Sequence, residues 1–181
     1  MPQYFDVSFD TKPSVTQKRT MGRAGIVLHS TEGLNSLDWL QGESADAGTP
    51  ASADFLIARN GNCYQITQVG YYSYHAGVAE WHSLDNRRGI LNELLVGIEL
   101  ESHESNTPRY TDQQIITSAA LCRRLMFQHW FGVTNIVYHG QIAKPPGRRR
   151  DPVLFPAFVW SRELLCPSIM DSAFVWPEVL P

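Results

Sequence analysis

Charge, cysteine and long apolar runs are all scarce in this 181-residue chain. Charged residues make up 18% and leave a net charge of -3, so no general attraction to nucleic acid or to an anionic membrane is expected. The longest basic run, Arg148-Arg149-Arg150, is short enough to be a solvated turn rather than a nucleic-acid patch. No stretch approaches the roughly 18 uninterrupted apolar residues of a membrane span. The opening Met1-Pro2-Gln3-Tyr4-Phe5-Asp6 carries no basic-flanked apolar core, so no secretory signal is visible. The cysteines Cys63, Cys122 and Cys166 are odd in number and lack metal-ligand spacing; they read as buried thiols of a protein made in a reducing compartment. The expectation is cytoplasmic synthesis, with any action outside the cell requiring lysis or a secretion machine. No internal repeat or low-complexity segment is evident.

Apolar residues make up 43%, and the length suits one domain with a real core. The divisions expected are an extended arm over residues 1–24, a catalytic domain over 25–165 and a Pro-containing tail over 166–181. Gly25-Ile26-Val27-Leu28-His29 has the length of a buried strand and closes on a histidine. A turn through Ser30-Thr31-Glu32-Gly33 leads to a short helix over residues 34–40. Phe55-Leu56-Ile57 and Cys63-Tyr64-Gln65 flank Asn60-Gly61, predicting a hairpin whose turn takes positive φ at both central residues. Residues 70–93 are rich in Gly, His, Tyr and Asn with little periodicity, and a loop this long in a small domain is usually functional.

Residues 95–101 alternate. Val96, Ile98 and Leu100 point one way, and Leu95, Gly97, Glu99 and Glu101 the other. Thr111 and Gln114 form a capping box for a helix with Ile115, Ala119, Cys122 and Met126 on one face, which Gly132 can end. Ile136-Val137-Tyr138-His139 is a second short apolar run closing on a histidine, and a short helix is expected near residues 156–165. Together these elements predict an α/β domain, with a central mixed sheet flanked by helices.

His29 and His139 thus sit at the C-terminal ends of predicted strands, the edge where open α/β sheets build their sites. Joined by Asp151, they make a three-ligand zinc set with a fourth position open for water. Composition alone leaves alternatives, because His82, His103 and His129 are also available. Glu99 is a natural general base on the face away from Val96, Ile98 and Leu100. Glu101 shares that face, and the pattern does not choose between them.

Four blocks in order then resemble one family: Ile26-Val27-Leu28-His29-Ser30-Thr31; Tyr74-His75-Ala76-Gly77; Asn92 through Val96-Gly97-Ile98-Glu99-Leu100; and His139-Gly140-Gln141-Ile142-Ala143 leading to Arg150-Asp151-Pro152. Over roughly residues 25–160 the chain resembles the zinc N-acetylmuramoyl-L-alanine amidases. That family includes phage lysozyme-type amidases (endolysins), cytosolic anhydro-muropeptide amidases and animal peptidoglycan-recognition proteins. The resemblance implies a zinc groove at the strand C-terminal edge, with His29, His139 and Asp151 as ligands. It favours Glu99 over Glu101, because the family's acidic residue follows Gly-Ile directly. It also implies a muropeptide or peptidoglycan substrate, cleaved between N-acetylmuramic acid and L-alanine by zinc-activated water with Glu99 as base. The alternative is a binding module of the same fold that holds muropeptide without cutting it.

Many members carry a lysine two residues before the last ligand, where this chain has Arg149. An arginine stays protonated, so it can stabilise an oxyanion but hardly act as an acid. The segment from His139 to Asp151 is also longer than in close relatives, and includes Lys144-Pro145-Pro146-Gly147. Tyr74 is the expected sugar- or peptide-stacking wall, with His75 and Asn92 as further substrate-pocket residues. Trp81 and Trp160 are expected to be packing residues.

Overall fold

A computed structural model describes residues 3–7, 15–31, 33–102, 110–168 and 174–175, the first and last of these as backbone only. Glu32, His103, and parts of the expected arm and tail lie outside the described residues. In chain order the first strands are β1 (Gln3–Val7), β2 (Thr16–Lys18), β3 (Gly25–Ser30), β4 (Phe55–Ile57) and β5 (Cys63–Gln65). Then follow β6 (Tyr71–Ser73), β7 (Glu80–Trp81), β8 (Leu84–Asp85), β9 (Leu95–Leu100), β10 (Ile136–Tyr138) and β11 (Phe174–Val175). The helices are α1 (Ser36–Asp38), α2 (Ser44–Asp46), α3 (Ile90–Leu94), α4 (Asp112–His129), α5 (His139–Ile142) and α6 (Ala157–Leu165).

Seven strands form one mixed sheet in the order β10-β3-β9-β4-β5-β1-β11, and two short ribbons, β2-β6 and β7-β8, stand apart. The centre, β10-β3-β9-β4, is parallel, and β4-β5 is the antiparallel hairpin. Parallel strands are covered on both faces, so they read as continuous apolar runs; β3 is buried from Gly25 to His29.

Side-chain alternation sorts the sheet into two faces. On one, Ile26, Leu28, Val96, Ile98 and Leu100 pack with Ile115, Ala119, Leu121 and Leu125 of α4 and with Trp160 and Leu164 of α6. On the other, Val27 and Leu95 meet Ala76, Ala79, Trp81, Leu91 and Ile142 from the 76–94 segment and α5. Both tryptophans are packing residues, as expected.

The α4 capping box forms: the Thr111 hydroxyl accepts from the Gln114 backbone N–H, and the Gln114 Oε1 accepts from the Thr111 N–H. The buried Gln114 Nε2 also donates to the carbonyls of Ile57 and Glu101, tying the helix start to the ends of β4 and β9.

Three local expectations are corrected. Helix α4 ends at Trp130, held left-handed at φ 60°, and not at Gly132. The hairpin turn closes through Gly61 N–H to the Ala58 carbonyl and Ala58 N–H to the Asn62 carbonyl. That makes a three-residue loop in which only Gly61 takes positive φ, not a two-residue Asn60-Gly61 turn. Cys63 and Cys122 are buried, but Cys166 is exposed. No helix among the described residues is long and apolar enough to cross a membrane.

Candidate active site

The strand register lines up the chemistry. His29 on β3 lies directly opposite Glu99 on β9, and Tyr138 on β10 lies opposite Leu28, so His139 follows one residue beyond. His139, His29 and Glu99 therefore come from the C-terminal edge of three adjacent parallel strands. In-register residues of paired strands share a face, and this is the face opposite α4 and α6.

Asp151 reaches the same place from the other end of a long loop. Gly140 N–H donates to the Asp151 carbonyl at 2.9 Å. A Cβ at Gly140 would lie 3.2 Å from the Arg150 backbone, so the absence of a side chain admits the approach. The segment beyond is held by Tyr110, whose hydroxyl donates to the Val153 carbonyl, and by edge-on packing of Phe155 against Tyr110, Tyr138 and Trp160. The resulting cluster is tight: one donor atom each from His29, His139 and Asp151 lies within 4.8 Å of the others. Asp151 Oδ2 is 3.4 Å from His29 Nδ1 and 3.1 Å from His139 Nδ1.

These residues fit a tetrahedral cation. Donors at zinc bond lengths of ~2.0–2.1 Å stand about 3.3 Å apart, close to the two spacings found. The other nitrogen of His139, Nε2, is 3.2 Å from the Ala76 carbonyl. A carbonyl only accepts, so Nε2 carries a proton, and in the tautomer protonated there alone Nδ1 turns its lone pair toward a carboxylate. Two acceptors facing one another call for a cation between them.

The electrostatics agree. Burial, then the neighbouring His139 and Arg149, pull His29 down to about 4 against the opposing pull of Asp151, so its ring is neutral near pH 7. Burial pushes the Tyr110 hydroxyl up to about 12, so it stays protonated and donating.

Above the cluster opens a groove of about 850 Å³, lined by Trp39, Leu40, Pro50, Tyr74, Arg148 and Arg149 among others. Glu99, His139, His75 and Asn92 also line it. Of the expected set, then, all eight residues meet in one region: His29, His139, Asp151, Glu99, Arg149, Tyr74, His75 and Asn92. His82 lies at the β7-β8 turn, tilted against Trp81, and His129 ends α4; neither joins the cluster. Glu101 turns elsewhere, accepting from the backbone N–H groups of Asn35 and Arg59.

The wall segment is held by polar contacts. Asn92 Oδ1 accepts from the backbone N–H groups of His75 and Ala76. Arg23 Nη1 donates to the carbonyls of Asn92, Glu93 and Leu95, while Nη2 pairs with buried Asp54 at 2.8 Å. Asp54 Oδ2 in turn accepts from Gly97 N–H. Arg148 donates from Nε to the Lys144 carbonyl and from Nη2 to the Val78 carbonyl, binding the long loop to the 76–79 turn. Arg23, Asp54, Tyr110 and Arg148 were not among the residues expected from sequence. Most of their partners are distant in the chain, and only Asp54, a polar residue opening an apolar strand, gave any signal.

Residues 19–153 match the profile of the N-acetylmuramoyl-L-alanine amidase family, and the chain belongs to that family. Its relatives include the 1,6-anhydro-N-acetylmuramyl-L-alanine amidase AmpD of Enterobacter cloacae, 37% identical over 111 residues, which are 61% of this chain and 54% of that one. The AmpD of Escherichia coli (strain K12) is 36% identical over 111 residues, 61% of this chain and 55% of the relative. The chain thus matches about half the length of these curated relatives. Among solved structures, a selenomethionine AmpD derivative superposes with a TM-score of 0.67 at 26% identity, covering 87% of this chain and 91% of that one. The N-acetylmuramoyl-L-alanine amidase LysC from Clostridium intestinale URNW shares the fold, with a TM-score of 0.61 at 18% identity over 91% of this chain and 99% of that one.

Proposed function

We propose that this chain is a zinc-dependent amidase that hydrolyses the bond between N-acetylmuramic acid and L-alanine in peptidoglycan fragments. The observation that carries the reading is the convergence of His29, His139 and Asp151, with Glu99 in register beside His29 at the same strand edge. Family membership and the named activity of the AmpD relatives support the substrate class, and extend it to 1,6-anhydro-muropeptides.

His29 Nδ1, His139 Nδ1 and Asp151 Oδ2 would hold the metal. When bound, zinc supplies Lewis-acid polarisation of the amide carbonyl and lowers the pKa of water toward neutrality. Glu99, on the strand beside His29, takes the proton of the attacking water and delivers it to the leaving L-alanine nitrogen. Arg149 at the groove rim brings a permanent positive charge toward the developing oxyanion. Tyr74 and Trp39 give the groove aromatic surface for the flat faces of sugar and peptide. His75 and Asn92 also line the groove and shape its wall.

The test is release of L-alanine amino termini from soluble anhydro-muropeptides and from intact sacculi, measured on zinc-loaded protein. Release from the soluble fragments at a higher kcat/KM is the expected outcome. Binding of either substrate without release of amino termini would contradict the reading.

A further inference from the structure

The segment carrying Tyr74-His75-Ala76-Gly77 does more than wall the groove. His75 is only 8% exposed, and both of its ring nitrogens face protein atoms. Nδ1 is 3.2 Å from His29 Nε2, and Nε2 is 3.1 Å from the Leu95 carbonyl. The rings of His29 and His75 meet edge-on, 5.2 Å apart at 83°.

The direction of this chain follows from its far end. The Leu95 carbonyl can only accept, so His75 carries its proton on Nε2. In the neutral ring Nδ1 is then an acceptor, and the hydrogen in the contact with His29 must come from His29 Nε2. A histidine with its proton on Nε2 presents its lone pair at Nδ1, the atom that faces Asp151 and His139. The backbone of β9 thereby sets the tautomer of a side chain on β3 through one intervening imidazole.

The surroundings fix His75 in this pose. Its backbone N–H and that of Ala76 are both held by Asn92 Oδ1. The Leu95 carbonyl also accepts from Arg23 Nη1 at 2.9 Å, which anchors the terminal acceptor. The ring lies flat on β9 over Gly97, where a Cβ would come within 2.6 Å of His75 Cγ. A glycine at that position of the strand therefore has a physical reason: any side chain would displace the ring.

We infer that His75 is a positioning residue, which orients His29 and holds it in the tautomer that offers Nδ1 to the metal, rather than a residue whose ring contacts substrate. The inference rests on the zinc reading above. Partners that orient a metal-bound histidine typically contribute roughly 10- to 100-fold to metal affinity.

Two measurements test it together. Nitrogen-15 NMR of the metal-free wild-type protein near neutral pH should show His75 protonated on Nε2 and bare on Nδ1. Chelator-competition titration with zinc should then rank three proteins, each checked for fold by circular dichroism. Wild type should bind tightest, and His75→Phe, which keeps the ring but no hydrogen bonds, should bind roughly 10- to 100-fold more weakly. His75→Gln, whose amide can accept from His29 and donate to Leu95, should fall between. A proton on His75 Nδ1 overturns the inference whatever the variants do. So does zinc held by His75→Phe as tightly as by wild type, or an equal loss in the Phe and Gln variants. Wild-type protein that holds no zinc sinks the amidase reading as well, whereas tight wild-type zinc beside an unaffected His75→Phe sinks this inference alone.

Discussion

On one face of the sheet an 18-residue helix, α4, and the shorter α6 lie against Ile26, Leu28, Val96, Ile98 and Leu100. On the opposite face the cover is a run of short strands and turns from Tyr71 to Leu94, fastened by Arg23, Asp54 and Asn92 through hydrogen bonds to buried backbone groups. The first face is held by area removed from water, which is non-directional and tolerant of small shifts. The second, beside its own smaller apolar cluster, is held by contacts that work only at set distances and angles. The same β3 serves both, presenting Leu28 to the helices and His29 to the site. What the contrast teaches is that stability and chemistry are assigned to opposite sides of one set of strands, so that they can be damaged separately.

Substitutions can break that separation or sharpen it. The largest effect is expected on the site face: Asp151→Ala should abolish zinc retention on dialysis and bring amidase activity to background, while the melting temperature of the metal-free protein stays near wild type. Glu99→Gln should keep the metal and lose about 10²- to 10⁴-fold in kcat; an active variant would show that another group takes the proton. On the helical face Leu121→Ala should cost about 2–5 kcal/mol in denaturant unfolding and leave kcat per folded molecule unchanged. A drop in kcat there would show that the two faces are coupled.

Asn92→Ala leaves the buried N–H groups of His75 and Ala76 without their acceptor, an expected loss of about 1–3 kcal/mol with weaker zinc binding besides. Arg149→Ala should slow kcat roughly tenfold with zinc intact, the weight of one exposed charged contact. Unchanged kcat would remove the arginine from the reaction.

How much of this was legible in the sequence follows the same division. The alternation Val96, Ile98, Leu100 against Glu99 was readable because a strand has period two and one face is wholly apolar. The start of α4 was readable because a capping box is local, involving only Thr111 and Gln114. Its end was not, since Trp130 adopts a left-handed conformation that its residue type does not favour. The hairpin was expected, but its turn was assigned one residue too short. Cys166 is exposed because it follows α6 at the surface, where composition says nothing.

The eight candidate site residues could be named with the help of the family resemblance, and the strand register brings Glu99 beside His29. The polar scaffold behind them was illegible. The Arg23–Asp54 pair spans 31 positions and the Asp54–Gly97 contact 43, and no periodicity encodes such partners. Gly97 and Gly140 could be quoted as part of motifs, but their reasons, a ring lying on one and a crossing backbone beside the other, appear only in three dimensions.

The claim on which everything rests is one zinc ion shared by two imidazoles and a carboxylate. X-ray absorption at the zinc edge, on protein loaded with one equivalent, measures that directly. The account predicts two nitrogen ligands from imidazole and the remainder oxygen, at about 2.0–2.2 Å, with the imidazole signature halved in His139→Ala. A sulfur shell near 2.3 Å, or an imidazole count unchanged by loss of His139, would contradict it.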